Sequence, residues 1–417
     1  MTRTARRCFI AGLTLALSVS RGAFALGPEE VASWRADLDV YEETLEANHI
    51  DLFNTVSRKT FSRELAALRD ELDKMDEEEI VVALMALTRK IGDGHSAIPL
   101  WGTPYKRFPF EVAVVGDEVV VTGTSAEHAS LLGARLVSIN NAPSAKVIAS
   151  VSKIAPFVEN GQSMVVRTGM YMLVSELLTG LGFTQDDGAA MLEFEKDGRR
   201  LSIATAPIDK AAFPDAIVSR LDYRRGYATE PFFKVNEEFW ASSANDGETI
   251  YIRFDAYPSE AEIDEMGMAL LGYIGEHASK NLIIDLRENF GGDLYLGLKL
   301  AAYLNTADSI DWKNGVYALI GAKTFSAAMS NSAQYRQLLN ARLIGEPTGG
   351  RPCGYQDMGQ FNLPNSGLLV TYSKRRFCIE EGEAVMPDIV VPMTKADYIA
   401  PYDAALEKAL ADIASRK

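Results

Sequence analysis

The sequence predicts a multi-domain α/β protein with a helical N-terminal segment, a β-rich middle domain and an α/β core built on a mixed or parallel sheet. Three observations predict this fold class. Apolar residues recur at three- and four-residue spacing up to Ile91, short β-rich runs follow from Phe108, and strand-like and helix-like segments alternate after Pro214. The length of 417 residues and the 47% hydrophobic content leave room for several buried cores.

The first 25 residues differ from the rest of the chain. Three arginines precede an apolar run from Cys8 to Val19, and Ala23-Phe24-Ala25 matches an A-x-A cleavage site. We therefore predict a signal peptide over residues 1–25 and export to the periplasm or the medium, and the paired arginines also permit the twin-arginine route. No later stretch reaches the ~18 apolar residues of a membrane span, so stable membrane insertion is not expected.

Charge and cysteine usage narrow the possible partners. Removal of the four arginines in the signal would lower the formal net charge from −15 to −19, which disfavours nucleic acid as a partner. Cys8 would leave with the signal, and Cys353 and Cys378 are then predicted to form a disulfide in an oxidising compartment. The sequence has no CxxC and no Cys/His cluster with the spacing of a metal site, so neither zinc nor a redox dithiol is predicted. No other metal and no organic cofactor is expected.

The helical segment is predicted over residues 26–105, with Ser57 and Thr60 as candidate helix-start residues and an end at Gly92-Asp93-Gly94. Residues 106–214 form the predicted β-rich domain. Within it, the stretch from Gly133 to Pro143 reads as a strand followed by an Asn-Asn turn, with a helix beginning near Ser144. This stretch resembles a PDZ motif, so the middle domain is expected to be PDZ-like.

Residues 215–417 form the predicted α/β core, in which strands alternate with crossover helices. The predicted strands cover residues 249–254, 281–286 and 316–321, and the predicted helices cover residues 259–276, 294–304 and 329–339. This alternation is typical of a sheet whose strands are largely parallel.

A candidate nucleophile follows the last of these strands. Thr324-Phe325-Ser326-Ala327-Ala328 forms a small-residue turn between a buried strand and a helix. Such a turn places Ser326 near a helix N-terminus, where free N–H groups favour a developing negative charge. On local sequence alone, a serine that only caps the helix is the other interpretation.

Two further segments carry candidate site residues. Gly291-Gly292 follows a strand and either turns backbone N–H groups into a cleft or only makes a tight turn, with Asp285 and Arg287 bracing it. Among the four histidines, His95 is the best candidate base because it follows Gly92-Asp93-Gly94 in a turn that can aim an imidazole into a cleft.

Together these fragments resemble the S41 peptidases, the family of C-terminal-processing and tricorn-like serine proteases to which interphotoreceptor retinoid-binding modules are related. The ordered motifs are Gly92-Asp93-Gly94-His95-Ser96, Ile284 to Gly292, Thr324 to Ala328, Gly345 to Gly350 and Met386-Pro387-Asp388-Ile389. The resemblance spans roughly residues 85–410. It implies a ClpP/crotonase-like core, Ser326 as the nucleophile, and an oxyanion hole made by the amide of Ala327 and one from the Gly291-Gly292 pair.

The resemblance also addresses the base. Arg351 stands where the C-terminal-processing branch has a lysine, and arginine does not lose its proton in proteins. The tricorn-like branch instead implies His95 as the base with Glu381 orienting it. Because the register before Pro387-Asp388 departs from the family pattern, Glu383 and Glu380 remain alternative acids.

These observations predict an exported serine endopeptidase that acts on polypeptides by a Ser-His-Glu mechanism, with homo-oligomerisation possible. Two alternatives stay open at this point. One is a ligand- or peptide-binding protein that keeps the fold without turnover, and the other is a hydrolase of non-peptide acyl or amide bonds.

Overall fold

The computed structural model describes residues 26–185, 188–224, 230–400 and 402–416. The predicted signal peptide lies outside the described residues. Within these ranges, no helix combines the length and the apolar character needed to cross a bilayer. The predicted fold class is confirmed: a helical N-terminal region is followed by an antiparallel sheet and a mixed sheet.

Three helices form the N-terminal layer. They are α1 (Pro28–Asn48), α2 (Arg58–Glu71) and α3 (Glu77–Arg89), with a 3₁₀ turn at Leu72–Lys74. The side chain of Ser57 accepts the N–H of Thr60 at the start of α2, and Asp76 and Glu79 form a capping box at the start of α3. Because each helix has one apolar face, the three enclose a core that includes the fully buried Tyr41 and Phe61.

The middle region contains an antiparallel sheet with helices packed on it. Its strands are β1 (Phe110–Val115), β2 (Glu118–Thr124), β3 (Arg135–Ile139), β4 (Ala142–Pro143), β5 (Ala190–Lys196), β6 (Arg199–Thr205) and β7 (Ser219–Arg220). Its helices are α4 (Ser144–Val151), α5 (Gly161–Tyr171), α6 (Ser175–Gly180) and α7 (Phe213–Ala216), with a 3₁₀ segment at Ala126–Leu131. The main path runs β1-β2-β3-β5-β6. Asn140 and Asn141 both have positive φ between β3 and β4, as a two-residue hairpin turn requires.

The core region is built on a seven-stranded mixed sheet. Its strands are β8 (Phe233–Lys234), β9 (Phe239–Ala244), β10 (Thr249–Phe254), β11 (Asn281–Asp285), β12 (Val316–Ile320), β13 (Arg342–Gly345) and β16 (Ile389–Val390), in the order β16-β13-β12-β11-β10-β9-β8. The helices are α8 (Glu260–His277), α9 (Leu294–Leu304), α10 (Ser326–Leu338), α11 (Lys395–Ile399) and α12 (Ala404–Ala414). From β10 to β16 neighbouring strands are parallel, whereas β8 and β9 pair antiparallel. The carboxyl ends of β11 and β12 therefore lie side by side, where ligands bind in sheets of this kind.

A separate hairpin connects the core to the N-terminal layer. Strands β14 (Cys353–Asn362) and β15 (Leu369–Cys378) pair over their full length, and Thr371 of β15 bridges to Ala97. At the hairpin's turn, buried Asp37 of α1 accepts the N–H groups of Asn365 and Ser366 at 2.8 Å each. This docking holds the segment after α3 against the core, although the two are more than 200 residues apart in sequence.

Candidate active site

The turn before α10 presents Ser326. Thr324 fixes the turn: its hydroxyl donates to the carbonyl of Leu286 at the end of β11 and accepts the N–H of Gly321, each at 2.9 Å. Ser326 itself has φ of +49°, a left-handed conformation that costs a non-glycine residue free energy. The surrounding hydrogen bonds hold the residue in this strained state, which is common for side chains exposed at reactive sites.

The structure brings His95 to Ser326. The Nε2 atom of His95 lies 2.9 Å from Oγ of Ser326, and Nδ1 lies 3.1 Å from the backbone carbonyl oxygen of Tyr355 in β14. Because a carbonyl oxygen only accepts, Nδ1 must carry the proton, and Nε2 of the neutral ring is then free to accept the serine hydroxyl. The imidazole also stacks on Phe325, with 5.5 Å between the ring centroids. This tautomer is the one a general base for Ser326 needs.

Asp93 shapes the turn that carries His95. One carboxylate oxygen accepts the N–H groups of His95 and Ser96 at 2.9 and 2.8 Å and the hydroxyl of Ser373 at 2.6 Å. The other oxygen lies 2.9 Å from Nε2 of His49. Burial raises the pKa of Asp93, but the hydrogen bonds from His49 and Ser373 outweigh burial and lower the pKa to about 2. Asp93 is therefore a buried carboxylate at neutral pH.

The pKa of His95 is lowered from its ordinary value. Burial is the main cause, because a buried site disfavours the charged imidazolium, and the charge of Asp93 opposes this effect in part. At neutral pH the ring is consequently in its basic form.

The structure does not bring the three candidate acids to His95. Glu381 lies in the exposed segment after β15, with one carboxylate oxygen 3.7 Å from Sγ of Cys378. Glu383 pairs with Arg351 at 2.6 Å, and Glu380 pairs with Arg336 at 3.2 Å. The expected contact between Glu381 and His95 is absent because the backbone of β14 occupies the Nδ1 side of the ring. A carbonyl takes the place that the resemblance assigned to a carboxylate.

The predicted oxyanion-hole residues lie beside Ser326. The N–H of Gly291 donates to Oδ1 of Asn289 at 2.8 Å, so it is already used. Among the described residues, no hydrogen-bond partner is found for the N–H of Gly292 or of Ala327. A Cβ on Gly291, whose φ is +106°, would lie 2.7 Å from Cβ of Ser326, so this approach needs glycine. Gly292 and Ala327 are thus the two amides of the predicted set that remain available for an oxyanion.

Asn289 links the two turns, and sequence reasoning missed it. The side-chain NH₂ group of Asn289 donates to the backbone carbonyl of Phe254 at 2.8 Å. The backbone carbonyl of Asn289 accepts the N–H of Phe325 at 3.1 Å. Asn289 therefore ties the glycine turn, strand β10 and the serine turn together. An asparagine inside the turn after a predicted strand was the available signal for this role.

Asp285 and Arg287 brace the glycine turn from behind. The Arg287 guanidinium donates to Asp285 at 2.6 and 2.9 Å and to Asp403 at the start of α12 at 2.6 and 2.7 Å. Burial raises the pKa of Asp285, but the charge of Arg287 outweighs it and holds that pKa well below the usual range. The three side chains are buried and fully paired, so their role is structural.

A cleft of about 860 Å³ is lined by Ser326, His95 and the turn residues Gly292 and Ala327. Aromatic and other apolar side chains dominate its walls, from the loop at Trp101, from α5, from the glycine and serine turns, and from the β14–β15 hairpin. Such a cleft is large enough for several residues of an extended chain. One polar group at its wall stands out: the guanidinium of Arg167 on α5, which sequence reasoning also missed.

The cysteines form the expected pair. Cys353 and Cys378 are joined by a disulfide at the paired open ends of β14 and β15. The closed loop contains the Tyr355 carbonyl that holds His95. A cluster of Cys353, Cys378 and Glu381 is the one set of potential metal ligands found among the described residues, and its two sulfurs are already bonded to each other.

The fold is similar to that of proteins of known structure. No family model matches the sequence. The crystal structure of mature CPAF matches with a TM-score of 0.63 at 13% identity, covering 91% of this chain and 96% of that one. The structure of mature CPAF complexed with lactacystin matches with a TM-score of 0.62 at 14% identity, covering 93% and 99%.

The chain has the S41-like peptidase fold. The resemblance read from the ordered motifs is thereby confirmed at the level of fold. At 12–14% identity the likeness extends to the architecture alone, so activity has to be argued from the site itself.

Proposed function

We propose that this protein is an exported serine endopeptidase in which Ser326 is the nucleophile and His95 the general base. One observation carries the proposal: Oγ of Ser326 lies 2.9 Å from Nε2 of a histidine whose other nitrogen is fixed as a donor. Two further observations support the proposal. The neighbouring N–H groups of Gly292 and Ala327 have no partner among the described residues, and the cleft fits an extended peptide. Export rests on the pattern of residues 1–25.

The reaction follows from this geometry. Oγ of Ser326 forms a bond to the scissile carbonyl carbon while its proton moves to Nε2 of His95, and the carbonyl π electrons move onto oxygen. The N–H groups of Gly292 and Ala327 then donate to the oxyanion. Collapse of this intermediate breaks the C–N bond, and the leaving amine takes the proton from His95. Water then gives a proton to the same nitrogen as its oxygen bonds to the acyl carbon. The bond from that carbon to Oγ of Ser326 breaks, Oγ takes the proton back from His95, and the acid is released.

The Tyr355 carbonyl and Asp93 take the part that the resemblance gave to Glu381. The carbonyl fixes the ring's tautomer and orientation, and Asp93 fixes the turn from which the ring projects. We therefore assign Tyr355 and Asp93 as positioning residues, and the proposed mechanism uses no acid in direct contact with the imidazole.

A serine-reactive fluorophosphonate probe tests the nucleophile. Wild type should label at Ser326, and Ser326→Ala and His95→Ala should each lose labelling and lower the rate of peptide hydrolysis by about a thousandfold or more. Ser332→Ala is the matched control, because Ser332 is a buried serine of the same helix whose hydroxyl donates to the carbonyl of Met329 outside the cleft lining. A wild-type protein that does not label, or a Ser326→Ala variant that hydrolyses normally, contradicts the proposal.

A digest separates the possible substrates. The purified protein, from Leu26 onward, is incubated with a random peptide library and, in parallel, with p-nitrophenyl esters. Release of new amino termini supports the peptidase. Ester hydrolysis without peptide cleavage would point to the hydrolase of non-peptide acyl bonds instead.

A further inference from the structure

Arg167 is enclosed by aromatic rings at the wall of the cleft. Its guanidinium carbon lies 4.3 Å from the ring centroid of Phe290 and 5.4 Å from those of Phe157 and Phe325. Phe290 directly precedes Gly291, and Phe325 directly precedes Ser326. The arginine is only 8% exposed, and it lines the same cleft as His95 and Ser326. The cation is therefore held next to the reacting groups, between the glycine and serine turns.

No carboxylate faces Arg167 within the described residues. Its one polar contact there is from Nη1 to the sulfur of Met170 at 3.8 Å. The other deeply buried arginines are paired differently: Arg287 binds two aspartates, and Arg224 binds Asp255 at 2.8 Å. An unpaired buried cation is costly, and ring faces compensate only part of that cost.

The charge of Arg167 persists despite its burial. Burial lowers the pKa of its guanidinium to about 10, so the side chain remains a cation at neutral pH. The remaining charged side chains in the cleft lining do not supply a counter-charge. Asp357 is paired with Lys374 at 3.2 Å and with Arg375 at 2.9 Å, and Asp293 caps the N-terminus of α9.

We infer that Arg167 recognises a carboxylate of the substrate, held within a residue or two of the scissile bond; this inference rests on the proposed peptidase function. The planar guanidinium matches a carboxylate with two parallel hydrogen bonds. The aromatic rings exclude water, which strengthens the attraction between opposite charges. The substrate thus completes an ion pair that the free protein lacks among its described residues, and it does so beside the nucleophile.

The carboxylate has two possible sources, an acidic side chain or the carboxyl terminus of the substrate. Three matched seven-residue libraries with acetylated amino termini distinguish them. One has a central Glu and an amidated terminus, the second has a central Gln and an amidated terminus, and the third has a central Gln and a free terminal carboxylate. The remaining positions are randomised among uncharged residues, and amine release measures the rate of cleavage.

Wild type should cleave at least one carboxylate-bearing library about tenfold to a hundredfold faster than the neutral one, as expected for a charge-assisted pair. Preference for the central Glu would identify an acidic side chain, and preference for the free terminus would identify a terminal carboxylate. Arg167→Met keeps the length and apolar stem, and it should reduce the preference to near unity. Arg375→Met removes an exposed arginine from the same cleft and should keep it.

Thermal unfolding separates recognition from a structural role. Because Arg167→Met removes an unpaired buried charge, its melting temperature should be unchanged or higher. Equal cleavage of all three libraries by wild type, or a preference that survives in Arg167→Met, would overturn the inference. The inference would also be overturned if Arg167→Met and Arg167→Lys both lost the preference and both showed a large fall in melting temperature.

Failure of the proposed function is visible separately. Competition of the three libraries against a fluorescein-labelled central-Glu peptide is measured by anisotropy on the Ser326→Ala protein, again from Leu26 onward. This measurement needs no turnover. Tighter binding of carboxylate-bearing peptides that depends on Arg167 supports the inference even if wild type cleaves none of them. Cleavage of all libraries without any Arg167-dependent difference leaves the peptidase standing and refutes the carboxylate site.

Discussion

Replacing Asp93 with asparagine should lower both stability and turnover. The pKa of Asp93 falls from its ordinary value of 3.8 to about 2 in the folded protein. At roughly 1.4 kcal/mol per pKa unit, the ionised carboxylate contributes on the order of 2 kcal/mol to folding. Because the folded-state pKa is depressed, this contribution is complete above pH ~4 and is lost as the pH falls towards 2. By pH 3 about 1 kcal/mol of it is gone.

The asparagine of Asp93→Asn also introduces a local conflict. Nδ1 of His49 accepts the N–H of Asp51 at 2.9 Å, so the proton of the neutral ring is on Nε2, which faces Asp93. If the new side-chain NH₂ group is directed at that nitrogen, one donor faces another, which leaves a buried N–H unsatisfied. If the new side chain is rotated the other way, its NH₂ group is directed at the N–H groups of His95 and Ser96. Either arrangement disturbs the turn that carries His95.

Urea unfolding at pH 7 and pH 3, together with steady-state kinetics at pH 7, measures both effects. At pH 7 the variant should be about 2 kcal/mol less stable than wild type. At pH 3 this difference should shrink to about 1 kcal/mol. We expect kcat to fall about tenfold to a hundredfold, because small displacements of a catalytic group are costly. Asp412→Asn is the control: it changes a hydrogen-bonded aspartate of α12 that lies outside the cleft lining, and it should leave kcat unchanged. Equal stability of Asp93→Asn and wild type at pH 7 would refute the reasoning.

Three further predictions concern the same site. Burial lowers the pKa of His95, so kcat/KM should rise with pH through an apparent pKa below ~6.5. A pH–rate profile without this rise on the acid side would exclude the imidazole as the base. Gly291→Ala should lower kcat by about a hundredfold or more, because the new Cβ would lie 2.7 Å from Cβ of Ser326. Gly272→Ala is the control and should not lower kcat, because the space around Gly272 is open. Similar kinetics for the two variants would argue against the oxyanion geometry. Reduction of the Cys353–Cys378 disulfide, whose cysteines are 25 residues apart, should lower stability by about 3 kcal/mol. It should also lower activity, because it loosens the hairpin that holds the imidazole of His95. Full activity after verified reduction would show that the disulfide does not affect the position of His95.

Much of the fold could be predicted from local patterns. The strand predicted over residues 281–286 corresponds to β11 at Asn281–Asp285, and the helix predicted over residues 259–276 corresponds to α8 at Glu260–His277. Apolar periodicity and capping residues act within a few positions, so one sequence is enough to detect them. The long β14–β15 hairpin was not predicted. Its strands are partly exposed, and its position depends on contacts with α1 and with Ala97 far away in sequence.

The candidate site divides in the same way. Ser326, His95 and Gly292 stand in distinctive turns, so they could be proposed from motifs. The partner of Nδ1 of His95 is the backbone carbonyl of residue 355, which every amino acid possesses, so no side-chain pattern marks it. Arg167 lies in the middle of a helix, and only the folded arrangement of three phenylalanines reveals that its charge faces the cleft without a carboxylate.

In the proposed mechanism, the carbonyl at Nδ1 of His95 changes how the imidazolium is stabilised. A carbonyl dipole selects the same tautomer of the ring as a carboxylate would, but it stabilises the positive charge less because it carries no full negative charge. Asp93 supplies a full charge at longer range: its carboxylate is the strongest of the influences that raise the pKa of His95 against burial. In a buried site such an interaction is weakly screened. Asp93 therefore combines two tasks, holding the turn through the N–H of His95 and favouring the protonated ring, and its replacement should harm catalysis more than replacement of the exposed Glu381.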